Sequence, residues 1–205
     1  MGTGTIKNSI HLIDLHRVHE GKTFVVLGRG QSIQDYESID GATVIGINRH
    51  WLFPDIRFDY GCFVDHEIVM ELKELDPEQF VDRFYITVDH PVEWERPVEV
   101  PVLYSHAVHT GDYQKGVIEW DFRFRPQTWN WGSTFAIMLA AGLGASEIHM
   151  WGVDLAPKDM VNIRGGGSSY CRQRESLEIW LPRFSTATGI PVISHSPHLE
   201  SVFPA

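Results

Sequence analysis

Cysteine is nearly absent from this chain: Cys62 and Cys171 are the only two, and they stand far apart. That excludes a disulfide-stapled scaffold and a cysteine-based zinc finger, and it predicts reduced thiols in a reducing compartment. Cys171 has a loop-like context and reads as either a structural or a reactive thiol. Long apolar runs are missing as well. The opening stretch, MGTGTIKNSIHLIDLHRVHEG, holds none of the length that a signal peptide or a membrane span needs. After Gly2, the position where myristoylation reads Ser or Thr is Ile6. The expectation is a cytosolic, cytoplasmic protein with no membrane span. Positive charge is scarce, and the net charge is −10 with His neutral. Such a chain repels polyanions, which excludes broad nucleic-acid binding but leaves room for a local phosphate pocket.

Familiar metal and phosphate signatures are also missing. None of the eleven histidines falls in HExxH or in a Cys/His finger. His106 and His109 are closely spaced, but their stretch, YSHAVHTGDY, reads as loop. The first Gly-rich turn lacks both the P-loop lysine and the third glycine of the dinucleotide fingerprint. A simple dehydrogenase or P-loop kinase is disfavoured.

What is present is ordinary globular composition, 43% apolar and 21% charged, over 205 residues. That is enough for one domain with a proper core, 1–205. Short β-branched runs alternate with helical patterns. Residues 8–19 place Ile10, Ile13, Leu15 and Val18 at helical spacing, and Gly21 ends that helix. Buried strands are predicted at 23–28, 43–48, 58–65, 83–88, 98–105, 146–154 and 191–196. Helices are predicted after the first turn and at 66–75, 132–144 and 170–189, the last kinked or broken near Pro182. Residues 106–131 read as a long loop or a small hairpin and 155–170 as a Gly-rich loop, both flanking the site. The pattern predicts an α/β fold: a Rossmann-like open, mostly parallel sheet with helices on both faces, in a single domain.

In such sheets ligands bind at the carboxyl ends of the strands, near a switch in strand order. Polar and glycine residues gather there. The first strand is followed by Gly28, Arg29, Gly30, Gln31 and Ser32, a turn fit to hold a phosphate at a helix N-terminus. The second strand ends at Asn48 and the third at Asp65 and His66. Gly132, Ser133 and Thr134 open the later helix as a second anion-ready terminus, or Ser133 only caps it. Asp154 holds a ribose hydroxyl or Mg²⁺, or caps a turn; Asp65 and Asp154 would hold the metal if the chemistry needs Mg²⁺. Arg164, Arg172 and Arg174 flank three glycines, Gly165–Gly167, as a loop able to close over a phosphate. Trp120, Phe122, Phe124, Trp129 and Trp131 form either an acceptor cleft for a sugar or heterocycle or a structural satellite core. An aromatic loop of this kind is also compatible with a homo-oligomer.

FVVLGRGQSI resembles the GxGPSL opening of the bacterial lipooligosaccharide sialyltransferases and of the archaeal-type hydroxymethylpterin diphosphokinase-like proteins. WGSTFAIMLAAGLGASEIHMWGVDLA, GSSY and SPHLESVF are similar to further stretches of that superfamily. The resemblance implies a nucleotide at the first turn. Gly28, Arg29, Gly30 and Ser32 would contact phosphate or ribose. Asn48, Asp65, Ser133 and Thr134 would face the donor, Asp154 the ribose or base, and Tyr170 the phosphate. Arg29 stands where the sialyltransferases carry asparagine, Gln31 where they carry proline, and their lid histidine has no match between His149 and His195.

The leading expectation is a nucleotide-dependent transferase, a glycosyltransferase with a CMP-type nucleotide-sugar donor. Asp65 or His66, or a histidine of the 106–109 loop, would be its base, and Arg29, Arg172 and Arg174 its phosphate ligands. An ATP- and Mg²⁺-dependent diphosphokinase acting on a pterin-like alcohol is the second reading. A non-catalytic nucleotide-binding module is the third.

Overall fold

A strand covered on both faces must be apolar on both faces, and β1 (Lys22–Leu27) meets that condition: Phe24, Val25, Val26 and Leu27 are all buried. The computed structural model describes residues 12–63, 65–76, 79–88, 102–105, 132–154, 167–199 and 201–203. Around β1 lie β2 (Thr43–Ile47), β3 (Phe58–Phe63), β4 (Val81–Val88), β5 (Val102–Ser105), β6 (Ala145–Trp151) and β7 (Val192–Ser194). They form one sheet in the order β5-β4-β3-β2-β1-β6-β7, and every neighbouring pair is parallel. The chain runs outward from β1 through β5 and then returns to add β6 on the other side of β1. That reversal puts the switch point between β1 and β6.

Alternation along β1 divides the core. Phe24 and Val26 join α2 (Gly132–Leu143) and α3 (Gly167–Thr188) on one face. Val25 and Leu27 join α1 (His66–Leu72) on the other. The open parallel sheet with helices on both faces is therefore as the sequence predicts. In α2 every residue but Ala141 is buried, so the helix is apolar all round and has no solvent face. It lies against β1, β2, β3 and β6. α3 contributes Leu177, Trp180, Leu181 and Phe184 to the same core.

Three expectations change. Residues 12–21 do not continue as an amphipathic helix: a 3-10 helix covers Leu12–Leu15, and turns follow. The amides of Arg17, His19 and Gly21 donate instead to the carbonyls of Gly142, Leu143 and Gly144 at 2.8 Å. Those carbonyls are the ones the end of α2 leaves without intrahelical partners, so capping α2 outweighs local periodicity. Second, of the two alternatives at Pro182 the break does not occur: α3 runs through it as one helix. The carbonyl that a proline at 182 leaves unbonded belongs to Glu178, which is exposed, so water can satisfy it. Third, α3 begins at Gly167, so residues 167–170 belong to a helix and not to a loop. Residues 106–131 and 155–166, with the aromatic group, His106, His109 and Arg164, lie outside the described residues.

The two sides of α3 separate in a stability test. Phe184→Ala removes a side chain with no exposure and is expected to cost about 3–5 kcal/mol in urea unfolding. Ile179→Ala, at a position 60% exposed, is expected to stay within about 0.5 kcal/mol.

Candidate functional site

At the switch point the turns after β1 and β6 touch backbone to backbone. Gly28 N–H donates to Trp151 O at 2.8 Å and Gly30 N–H to Gly152 O at 2.7 Å. A methyl group on Gly28 would collide with the Gly152 carbonyl, and one on Gly30 with the Asp154 carboxylate. Gly152 has φ +67°, and its own Cβ would lie 2.6 Å from the Gly28 carbonyl carbon. Glycine is required at these places by close approach as well as by conformation. Asp154 is 1% exposed. It accepts from Ser32 N–H at 2.8 Å and from the Ser32 hydroxyl at 2.5 Å, while that hydroxyl accepts from Gly152 N–H at 2.8 Å. The amides of Gly28, Gly30 and Ser32 are thus all engaged by the β6 turn. Arg29 is half-buried on the same turn.

One strand over, β2 ends at Asn48, which has φ +53°. Asparagine tolerates this left-handed region better than most residues, at some cost. Asn48 N–H extends the ladder to Cys62 O at 2.8 Å. Its side chain lies beside the first residue of α2: a Cβ on Gly132 would stand 3.4 Å from Asn48 Oδ1. Asn48 Oδ1 is buried and accepts no hydrogen bond among the described residues. Gly132, Ser133 and Thr134 are buried at that helix end, which carries the positive end of the helix dipole.

The Asn48 carbonyl is held by His50, a residue the sequence reading passed over. His50 N–H lies 2.9 Å from Asn48 O, and Nδ1 lies 2.8 Å from the same oxygen. A carbonyl can only accept, so the ring proton is on Nδ1, and Nε2 accepts from the Tyr85 hydroxyl at 3.2 Å. Burial lowers the His50 pKa to about 4, which keeps the ring neutral. The ring occupies a slot left by two glycines paired across β2 and β3, Gly46 and Gly61. A Cβ on Gly46 would lie 2.6 Å from the His50 Cβ, and one on Gly61 would lie 2.7 Å from its Cε1. The available signal was a glycine inside each of two β-branched or aromatic strands, TVIGI and FDYGCF.

Past β3, Asp65 is exposed and lines an open cleft of about 390 Å³ with Arg49, Glu67 and Ile68. Arg49 is gripped by Glu71 through two bonds of 2.5 Å. The Glu71 bond, with Glu67 and Asp65 nearby, raises the Arg49 pKa further. The cleft is therefore acidic, unlike the α2 terminus. Asp65 and Asp154 do not meet: β1 and β2 lie between the strands that carry them, a span of about 14 Å at ordinary strand spacing. Among the described residues no group of three or more His, Cys, Asp and Glu converges on a metal position.

No protein-family model matches the chain, and no curated protein sequence matches it. Solved structures do. The sialyltransferase CstII of Campylobacter jejuni in complex with cytidine-5'-monophosphate superposes with a TM-score of 0.54 at 13% identity, covering 90% of this chain and 86% of that one. The CstII complex with CMP-3FNeuAc gives 0.53 at 15% identity, covering 89% and 86%. The CstII complex with a trisaccharide acceptor and CMP gives the same score, identity and coverage. The fold is sialyltransferase-like.

Placed on that fold, Gly28, Arg29, Gly30, Ser32, Asn48, Gly132, Ser133 and Thr134 gather at the carboxyl edge of β1 and β2, with Asp154 beneath them. Asp65 opens the neighbouring cleft, and His66 is the first residue of α1. Arg174 lies within α3, 3.6 Å from Glu178 one turn on. Tyr170 and Arg172 are also in α3. A second group went unread in the sequence. His195 stacks on Trp151 with centroids 3.6 Å apart, and its Nε2 lies 2.9 Å from His149 Nδ1.

Two measurements check this geometry. Asp154→Ala strands two donors of Ser32 and is expected to cost about 2–4 kcal/mol without any ligand. Unchanged urea stability would leave Asp154 a purely ligand-binding role. For His50 the folded pKa lies below the ordinary 6.5, so only the unfolded state takes up the proton as pH falls through that value. Stability should therefore drop by about 2 kcal/mol between pH 7.5 and 5 relative to His50→Asn, which lacks that titration.

Proposed function

We propose that this chain is a glycosyltransferase that takes a CMP-activated sugar. The carrying observation is Asn48: a buried amide oxygen without a partner among the described residues, held in a left-handed conformation beside the N-terminus of α2. A desolvated acceptor calls for a ligand that donates, such as a ribose hydroxyl or a nucleobase amine. The adjacent helix terminus calls for an anion, and a nucleoside monophosphate supplies both. The fold shared with CMP-bound CstII supports the reading.

With the Gly28, Gly30 and Ser32 amides engaged elsewhere, we assign the phosphate to the positive end of α2 at Gly132 and Ser133, with Arg29 on the neighbouring strand end as a cation beside it. Arg172 and Tyr170, and Arg174 if it leaves Glu178, are the assignments for closing over it. Asp154 and Ser32 serve by fixing the turn. The sugar or other acceptor enters the acidic cleft. There Asp65 or His66 removes the hydroxyl proton as the acceptor oxygen bonds to the anomeric carbon. The bond from that carbon to the phosphate oxygen breaks, and CMP leaves with the electron pair, stabilised by the cationic end of the site.

A thermal-shift panel of CMP, UMP, GMP and ATP, with and without Mg²⁺, tests the class. CMP at about a hundred times its Kd is expected to raise Tm by roughly 5–10 °C, the others far less. Asn48→Ala should weaken CMP at least tenfold, about 1.4 kcal/mol. A shift with ATP and Mg²⁺ alone, together with AMP formation from a pterin alcohol, would replace this reading with the diphosphokinase one.

A further inference from the structure

We propose that His50 is a positioning residue that holds the Asn48 backbone in its left-handed conformation and so aims the Asn48 amide at the nucleotide. The inference rests on the proposed nucleotide site. Three observations carry it. First, two donors of one residue, the main-chain N–H and Nδ1–H of His50, converge on a single acceptor, the Asn48 carbonyl, at 2.9 and 2.8 Å. A peptide plane gripped twice resists rotation, so ψ of Asn48 is held there, while the Asn48 N–H bond to Cys62 O holds the plane before it; the two together keep the left-handed conformation. Second, the imidazole cannot turn away. Gly46 and Gly61 back it, Phe58 meets it edge-on at 4.8 Å, Trp51 at 5.4 Å, and the Tyr85 hydroxyl closes its far nitrogen. Third, the residue so held has a sparsely populated φ and an unsatisfied buried oxygen at once. Strain of that kind persists only where the surroundings over-determine it, and it gathers at ligand sites.

The arrangement also explains why histidine is used there. The ring must be flat to lie in the Gly46–Gly61 slot, must donate on one side and must accept on the other. Phenylalanine has the shape without the bonds. Asparagine keeps a donor near the Nδ1 position and loses the bond to Tyr85.

The test uses the full chain labelled with ¹⁵N, with the Asn48 side-chain amide signal assigned by its loss in Asn48→Asp. In His50→Leu that signal is expected to collapse to the position of a freely rotating amide, and CMP affinity is expected to fall at least tenfold. His50→Asn should restore affinity to within threefold of the parent, which a loss of packing alone would not produce. Tyr85→Phe keeps the slot filled and should weaken CMP about threefold with a displaced Asn48 amide. Should His50→Leu not fold, Tyr85→Phe and His50→Asn decide the matter. An Asn48 signal and CMP affinity unchanged to within twofold in Tyr85→Phe, and in His50→Leu where it folds, would overturn the proposal. If the parent protein binds no CMP, the functional reading fails by itself, while the Asn48 signal still judges the positioning role.

Discussion

The site depends on one contact, the meeting of the β1 and β6 turns. Two neighbouring parallel strands leave the sheet side by side, and their chains come closer than any side chain allows, so Gly28, Gly30 and Gly152 face one another as bare backbone. Asp154 then drops between them and takes both donors of Ser32. A buried carboxylate needs such partners, because an unpaired charge removed from water is expensive. β1 is bonded to β2 on one side and to β6 on the other, so fixing its end fixes the sheet edge that carries Arg29 and, one strand over, Asn48.

The strands were legible in the sequence because burial on both faces writes a parallel strand as an unbroken apolar run, and TFVVL and TVIGI are such runs. α2 was legible because apolar residues continue past strand length and stop at Gly144, which has φ +106°. Residues 12–21 were not, since their backbone is recruited by the end of a helix more than a hundred positions away. The site was legible as a set of strand-end residues but not as a set of roles. Asp154 and Ser32 look like ligands in one dimension and become each other's partners in three. His50 carries no motif at all. It is explained only by two glycines on separate strands and a tyrosine on a third, an arrangement that register creates and spacing does not record.

Charge is partitioned across short distances. The strand-end region near α2 offers Arg29 and a helix terminus, while the cleft one strand further on offers Asp65 and Glu67, with Arg49 tied to Glu71. On the proposed function a phosphate would be drawn to the first and repelled by the second, and a hydroxyl-bearing acceptor in the second would stand beside a carboxylate. A chain with net charge −10 can therefore accommodate an anion, provided that the local field and not the total decides.

The Asn48 conformation and its buried oxygen cost free energy that a hydrogen-bond donor at the proposed site would partly recover. A left-handed asparagine costs about 1 kcal/mol, and a buried acceptor without a donor costs about 1–3 kcal/mol. The two bonds from His50, and the burial of its ring against Phe58, Trp51 and Tyr85, offset those costs during folding. When a ligand N–H or O–H reaches Asn48 Oδ1, the acceptor has already lost its water and its freedom to rotate. The new bond then contributes nearly its full strength, because ordering and desolvation were completed when the chain folded. A flexible surface asparagine would lose both on binding, which is the physical difference between a residue that touches a ligand and one that selects it.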